Sequence, residues 1–466
     1  MIVALAATLA IVVQDHAALR AAPRAGATEL TRLWQGDVLE VRGTQAGYLK
    51  IYDYRREQGG YLRRDAAQPV ELSEGAAPDL LAVLRFLRDT PGTEALGISY
   101  AAAYLKAAAP GAITAEPFDA IAQMAERLAD QASGSTDHRP DVAPHLEVVA
   151  QFGIRMRTVE RNGRIRVCYD GELFRRVLTF PSAKAEERAR AVLGLTRADC
   201  IDPNLAPVPR ASVDADRAQL LDQFKEGELS AMTRSRLHAR RAGVWASLAF
   251  GQDRRGESAY TAAQRAYDEL IAVRPDDLGD DLRPEYLDAA LRVSAIRWTG
   301  ARSEPQPGPL SVREVPGDPG QTCLVLEDAR RPHAMLIRRC TYGRVRMASM
   351  MLIPQGPALM LAVQPLESWR ELWVFHEKSG TWTIDVLSPG LDEPEEGYVD
   401  FAGYAPVTRR LLIAREVKER GRFRRSFEEL RLDDLVLVRQ ASSPELLRDF
   451  GRWQDAAWRR DSLALR

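Results

Sequence analysis

The side chains of this chain that could do chemistry are few: four cysteines, six histidines and one tight group of tyrosines and arginines. Cys168, Cys200, Cys323 and Cys340 contain no C-x-x-C pair, which removes zinc-ribbon and thioredoxin-like chemistry. They fall as one pair in the middle of the chain and one in its C-terminal part. That arrangement suits two local disulfides, with Cys323–Cys340 closing a single hairpin, and an oxidising compartment such as the periplasm. Four reduced, buried thiols are the alternative. The histidines, at 16, 138, 145, 238, 333 and 376, are scattered. His138 and His145 lie near Asp137 and Asp141, but Pro140 and Pro144 oppose the continuous helix that would align them, so no metal site is expected. No phosphate-binding G-x-x-x-x-G-K-[ST], dinucleotide G-x-G-x-x-G, H-E-x-x-H or G-x-S-x-G is present. No catalytic residue and no cofactor is therefore assigned.

The tyrosines belong to TRLWQGDVLEVRGTQAGYLKIYDYRREQGGYLRR, residues 31–64. Tyr48, Tyr52, Tyr54 and Tyr61 stand beside Arg55 and Arg56. Tyr presents an apolar ring and a hydroxyl, so this set is the candidate binding groove. The competing role is cross-strand pairing within a sheet. The stretch alternates apolar and polar residues, and residues 8–72 as a whole read as short strands separated by Pro, Gly and polar turns. Leu33, Leu39, Val41, Leu49 and Ile51 form the expected core. Gly36 precedes a strand at a turn that calls for positive φ.

This first unit resembles a bacterial SH3 (SH3b) domain. Leu19, Arg20 and Pro23 match the family's opening, Gly36, Asp37 and Val41 its middle, and Gly60-Tyr61 its closing hairpin. Tyr48 stands where the family usually has Trp, and YDYRREQGG makes a longer hairpin. The resemblance covers about 60 residues and implies a small closed β-barrel, an extracytoplasmic location, and a cell-wall component such as peptidoglycan, or an envelope protein, as partner.

The rest of the chain must supply architecture. Residues 78–300 carry apolar residues at helical spacing with Pro and Gly stops, the pattern of helical hairpins, interrupted by a β-like insert at RIRVCYDGELFRRVLTF, residues 164–180. GARSEPQPGPL, residues 300–310, reads as a linker. Antiparallel β patterns then dominate 309–466. IPQGPALMLAVQ aligns with APVTRRLLIARE at an offset of 52 residues, suggesting two four-stranded units like propeller blades. REVKERGRFRRSFEELR reads as a solvated hairpin of mixed-sign pairs. In the tail, Trp453 and Trp458 are expected to fill the last sheet, followed by a strand-like SLALR. The fold class is thus α+β and multidomain: an SH3-like barrel at 8–72, helical hairpins at 78–300, and an antiparallel β domain with blade-like hairpins at 309–466.

With 64 basic and 65 acidic side chains, the chain has no overall field that would draw nucleic acid or an anionic membrane. No apolar run reaches the roughly 20 residues of a membrane-spanning helix. MIVALAATLAIVV reads either as a signal peptide shortened at its basic start or as the approach to the first strand. The sequence therefore points to a non-enzymatic envelope binding or scaffold protein, periplasmic or secreted. A cell-wall hydrolase with an unrecognised active site is the alternative.

Overall fold

A computed structural model describes residues 8–134, 142–161, 163–224, 227–301, 308–330, 335–353, 358–390 and 396–461. In chain order it is α+β: an N-terminal antiparallel sheet, a helical middle and a mostly antiparallel C-terminal sheet. It divides into two units, residues 1–205 with 224–229, and residues 206–223 with 230–466. The helical stretch that the sequence groups as one block contributes to both. Most of the 300–310 linker lies outside the described residues, as do residues 1–7, His138, His333 and SLALR.

The first unit opens with seven strands, β1 (Thr8–Val12), β2 (Ala17–Arg20), β3 (Glu29–Leu33), β4 (Val38–Gln45), β5 (Tyr48–Asp53), β6 (Gln58–Arg63) and β7 (Ala67–Val70). They form one sheet in the order β3-β2-β6-β5-β4-β1-β7. The inner face buries Leu19, Leu33, Leu39, Leu49, Ile51 and Leu62, with Val41 packed at its margin. The barrel expected from the sequence does not close: β3 and β7 are the two ends of the sheet and do not pair. Helices cover the outer face of its β1–β7 end, the side away from Ala10, Val12 and Ala67. Ile11 and Val70 pack against helices α1 (Ala77–Arg88) and α2 (Glu94–Ala107), through Ala77, Leu80, Leu96 and Tyr100. Two glycines of the SH3b-like pattern sit in close contacts, Gly36 against α2 and Gly60 against β2 within the sheet. Gly36 has φ +94°, and a β-carbon there would lie 2.7 Å from the Ala95 carbonyl oxygen; its own carbonyl accepts from Ser99 Oγ at 2.7 Å. A β-carbon on Gly60 would lie 2.8 Å from Leu19.

Helices α3 (Glu116–Ala132) and α4 (Val142–Ala150) complete this core with Met124, Leu128, Val148 and Val149. The β insert is shorter than expected. Strands β8 (Met156–Arg161) and β9 (Arg164–Tyr169) form a hairpin, but ELFRRVLT is helix α5 (Glu172–Thr179). Strand alternation there would place Arg176 between Phe174 and Leu178 on the buried face. Helical spacing instead buries Phe174 and Val177 together against α3. Helix α6 (Ala185–Leu195) follows, and a disulfide joins Cys168 of β9 to Cys200, with a Cα–Cα distance of 5.8 Å.

In the second unit, helices α7 (Pro207–Gln223), α8 (Ala231–Arg254), α9 (Tyr260–Ala272) and α10 (Arg283–Ala295) precede the strands. Alanines make the helix contacts close: Ala242, Ala246 and Ala249 of α8 meet Ala262 and Ala266 of α9 and Ala289 of α10. Strands β10 (Leu310–Pro316), β11 (Thr322–Asp328) and β12 (Met335–Thr341) form one sheet, with Cys323 and Cys340 paired across it in a disulfide. The next eight are β13 (Arg344–Ile353), β14 (Ala358–Leu366), β15 (Trp369–Lys378), β16 (Thr381–Leu387), β17 (Glu396–Ala405), β18 (Arg410–Glu419), β19 (Arg422–Arg431) and β20 (Leu437–Ala441). Each successive four is an antiparallel meander. The two join by a short parallel contact of Trp369-Arg370 with Gly397-Tyr398. β14 and β18, which the repeat aligns, are the second strand of each. The tail is two short helices, α11 (Arg448–Trp453) and α12 (Ala456–Asp461), whose Phe450 and Trp458 pack edge-on against Phe427. Among the described residues no helix is long and apolar enough to cross a membrane.

Two outcomes are expected. Gly36→Ala lowers the unfolding free energy by about 2–4 kcal/mol in denaturant titration, because left-handed strain adds to a backbone clash. Each disulfide contributes about 3–4 kcal/mol through loop closure, so Cys168→Ser and Cys323→Ser lower the melting temperature measured without reductant, whereas the oxidised wild type shows no thiol by alkylation.

Candidate functional site

On β5 the residues alternate strictly. Leu49, Ile51 and Asp53 point inward and are buried; Tyr48, Lys50 and Tyr52 point outward. β6 adds Tyr61 opposite Lys50, and Arg63 opposite Tyr48. Arg20 of β2 stands opposite Tyr61. The structure therefore brings Tyr48, Tyr52 and Tyr61 onto one face, with cationic side chains between and around them. The Tyr52 ring lies over Gly59, which has no side chain to displace it, and the Arg42 guanidinium sits 4.0 Å from the ring centroid. Tyr54, in the following turn, meets Tyr52 edge-on at 5.0 Å and donates to Glu40 at 3.2 Å. Tyr61 donates to Gln45 at 3.4 Å.

Arg55 and Arg56 are placed differently from the tyrosines. Arg55 donates to Asp37 at 2.9 Å; Arg56 donates to Asp53 at 2.6 Å and Asp37 at 3.3 Å. Both carboxylates are buried. Asp37 also accepts from the Trp34 backbone N–H, and Asp53 from those of Arg55 and Arg56. These arginines thus neutralise two buried charges and fix the turn that ends β5. The buried acids need them, because an uncompensated carboxylate in an apolar setting costs several kcal/mol.

Among the described residues the histidines form no single group, although His16 and His145 both contact the Trp34 ring. His145, on α4, hydrogen-bonds Asp15 at 2.8 Å and faces the Trp34 ring edge-on. Among the described residues no group of three or more His, Cys, Asp or Glu could hold a metal.

The second unit contains a polar site that sequence reasoning missed. β17 carries Glu396, Tyr398 and Asp400 on one face, and β18 places Lys418 and Glu416 opposite the first two. Helix α10 lies across that face. Asp288 accepts from Lys418 at 2.7 Å, Arg292 donates to Glu396 at 2.6 Å, and Arg297, just past the helix end, reaches Asp400 at 3.4 Å. Arg370 of β15 holds the other Asp400 oxygen at 2.7 Å and is itself 1% exposed. Glu416 pairs with Arg425 at 2.8 Å, and the Tyr398 hydroxyl hydrogen-bonds Glu416 and Ser294. Arg292 also approaches Glu367, which accepts from Arg210 at 2.8 Å and from Ser247. The sequence signal was present in EGYVDF: polar residues at period two on an otherwise apolar strand, facing a helix with Asp288 and Arg292 four apart.

Burial shifts the titration of this site. Desolvation, with the nearby Asp400 charge, raises Glu416 to about 7 against the pull of Arg425 and the Tyr398 hydroxyl. Desolvation and the Glu416 and Asp400 charges push Tyr398 well above an ordinary tyrosine. Where α10 ends, a cavity of about 350 Å³ opens between α9, the segment after α10, and β17. Its walls include Tyr260, Tyr267, Trp298, Tyr398 and Asp400.

A carboxyl whose folded pKa exceeds its unfolded value binds more protons when folded, so stability falls as pH rises between the two. For Glu416 the window runs from 4.5 to about 7. Its contribution is a loss of about 3 kcal/mol of unfolding free energy across that window. Denaturant titrations at pH 5 and pH 8 are expected to show that loss, and Glu416→Gln to reduce it, leaving the part from Asp288, which burial and the Glu396 charge also raise to about 7. No protein-family model matches this chain, and neither does any curated protein or solved structure.

Proposed function

We propose that the chain is a non-enzymatic binding protein of an extracytoplasmic compartment, whose N-terminal SH3b-like sheet recognises a cell-wall component or envelope protein. The observation that carries this reading is the outward row of Tyr48, Tyr52 and Tyr61. An open, half-exposed tyrosine face flanked by Arg20, Arg42, Lys50 and Arg63 can stack on sugar rings or peptide bonds while its cations meet carboxylates. The two disulfides support an oxidising compartment, periplasmic or exported. Under this reading Arg55 and Arg56 hold the turn beside the face, and the four-stranded meanders β13–β16 and β17–β20 serve as blade-like scaffold units.

Co-sedimentation with purified peptidoglycan tests the proposal. Wild type is expected in the pellet, and Tyr52→Ala with Tyr61→Ala to weaken retention about tenfold, equivalent to about 1.4 kcal/mol. Absence of wild-type retention on peptidoglycan, together with a reducing cellular location, overturns it.

A further inference from the structure

We propose that Lys50, at the centre of the tyrosine face, is the residue that selects the ligand: it reads a free carboxylate, so the face takes carboxylate-bearing units of the wall polymer in preference to its neutral sugars. This rests on the binding role proposed above and names the ligand chemistry of that same face. The sheet builds one row across β4, β5, β6 and β2. Gly43 stands opposite Lys50, Lys50 opposite Tyr61, and Tyr61 opposite Arg20. Tyr48 and Tyr52 lie two residues to either side of Lys50 on the same face of β5, about 7 Å along the strand. Lys50 therefore leaves the sheet among three half-buried rings. On its β4 side the space is open, since a β-carbon on Gly43 would meet nothing within 4 Å.

The charges around it are committed within the fold. Arg42 donates to Glu40 at 2.7 Å, Arg63 to Asp65 at 3.0 Å, and Arg32 of β3 to Glu29 at 2.9 Å. Arg20 donates to the Ala27 carbonyl at 2.9 Å. Lys50 is exposed and, among the described residues, makes no hydrogen bond or ion pair. The carboxylates that flank the row, Glu29, Glu40 and Asp65, each have a guanidinium already. An ammonium brings three donors and a phenol one, so a carboxylate seated on Lys50 can also accept from Tyr48 or Tyr52. The rings shield such a pair from water, which strengthens it over one at a bare surface lysine. A neutral hydroxyl in the same place gains a hydrogen bond with only one charged partner and no opposite charge.

Co-sedimentation of the full chain with peptidoglycan stripped of phosphodiester polymers tests this, with one portion keeping its free carboxylates and another having them converted to methylamides. Wild type is expected to bind the first about fivefold more tightly than the second. Lys50→Met is expected to bind the first portion about fivefold more weakly than wild type and to be indifferent to the conversion, and Lys50→Arg to restore the difference. Lys106→Met, which removes an equal charge from an exposed position on α2, leaves retention unchanged. Equal wild-type retention on the two portions, or undiminished retention of Lys50→Met, overturns the inference and leaves the binding role standing. Retention that disappears with the phosphodiester polymers makes the anion a phosphate and overturns the inference in the same way. No wild-type retention with or without those polymers overturns the binding role and the inference with it.

Discussion

Charges buried between a helix and a sheet must find partners there, and that requirement organises the second unit. Helix α10 cannot slide along β17 or rotate on its axis without breaking the contacts of Asp288 with Lys418 and Arg292 with Glu396. A buried pair adds little net stability compared with well-packed apolar residues, because desolvation offsets most of the attraction. Separating one is costly, since it strands a charge in a medium that cannot solvate it. The ladder therefore acts on register more than on total stability. The same logic extends to the α8 end, where Asp253 takes Arg344 at 2.9 Å and Arg346 at 2.7 Å. Short Ala contacts bring the helices together, and paired charges decide where they lie.

The cavity follows from that geometry. α10 ends at Ala295, while β17 continues to Ala405. Tyr398 and Asp400 are then covered by side chains of α9 and by Trp298 instead of by a continuous helix. A partly covered polar patch is left at the edge of a rigid, ion-paired surface. Its side chains are held by neighbours on two or three elements, the condition under which a small ligand meets preformed partners.

The first unit uses the same device on a smaller scale. Asp37 and Asp53 are buried under a turn, and Arg55 and Arg56 close over them. With its last turn held, β5 presents its outer residues in strict alternation, and the tyrosines stand in a row. The sheet remains open, with β3 and β7 at its two ends. Ile11 and Val70, on the face of β1 and β7 opposite Ala10, Val12 and Ala67, are covered by Leu80 and Tyr100.

What the sequence by itself determined was local. Alternation at Leu49, Ile51 and Tyr52 marked the strands and their outward face. Positive φ at Gly36 could be foreseen from the turn, and the offset of 52 residues foretold two meanders of like build. The charge run does form mixed-sign pairs, Arg415 with Glu428 and Arg425 with Glu416, but Glu416, Glu428 and Glu429 are buried where the sequence reads a solvated hairpin. Tertiary structure decided what depends on residues far apart in the chain. It left β3 and β7 at the two ends of an open sheet and laid α1 and α2 on the outer face of β1 and β7. It made ELFRRVLT a helix, because α3 offers Phe174 and Val177 a common surface. It set Arg370 and Arg297, 73 positions apart in the numbering, on one carboxylate, 30 and 103 residues away from Asp400 respectively. Periodicity reports which face of an element is apolar; it carries no information about which distant charge will lie against it, and the cavity is made of such distant meetings.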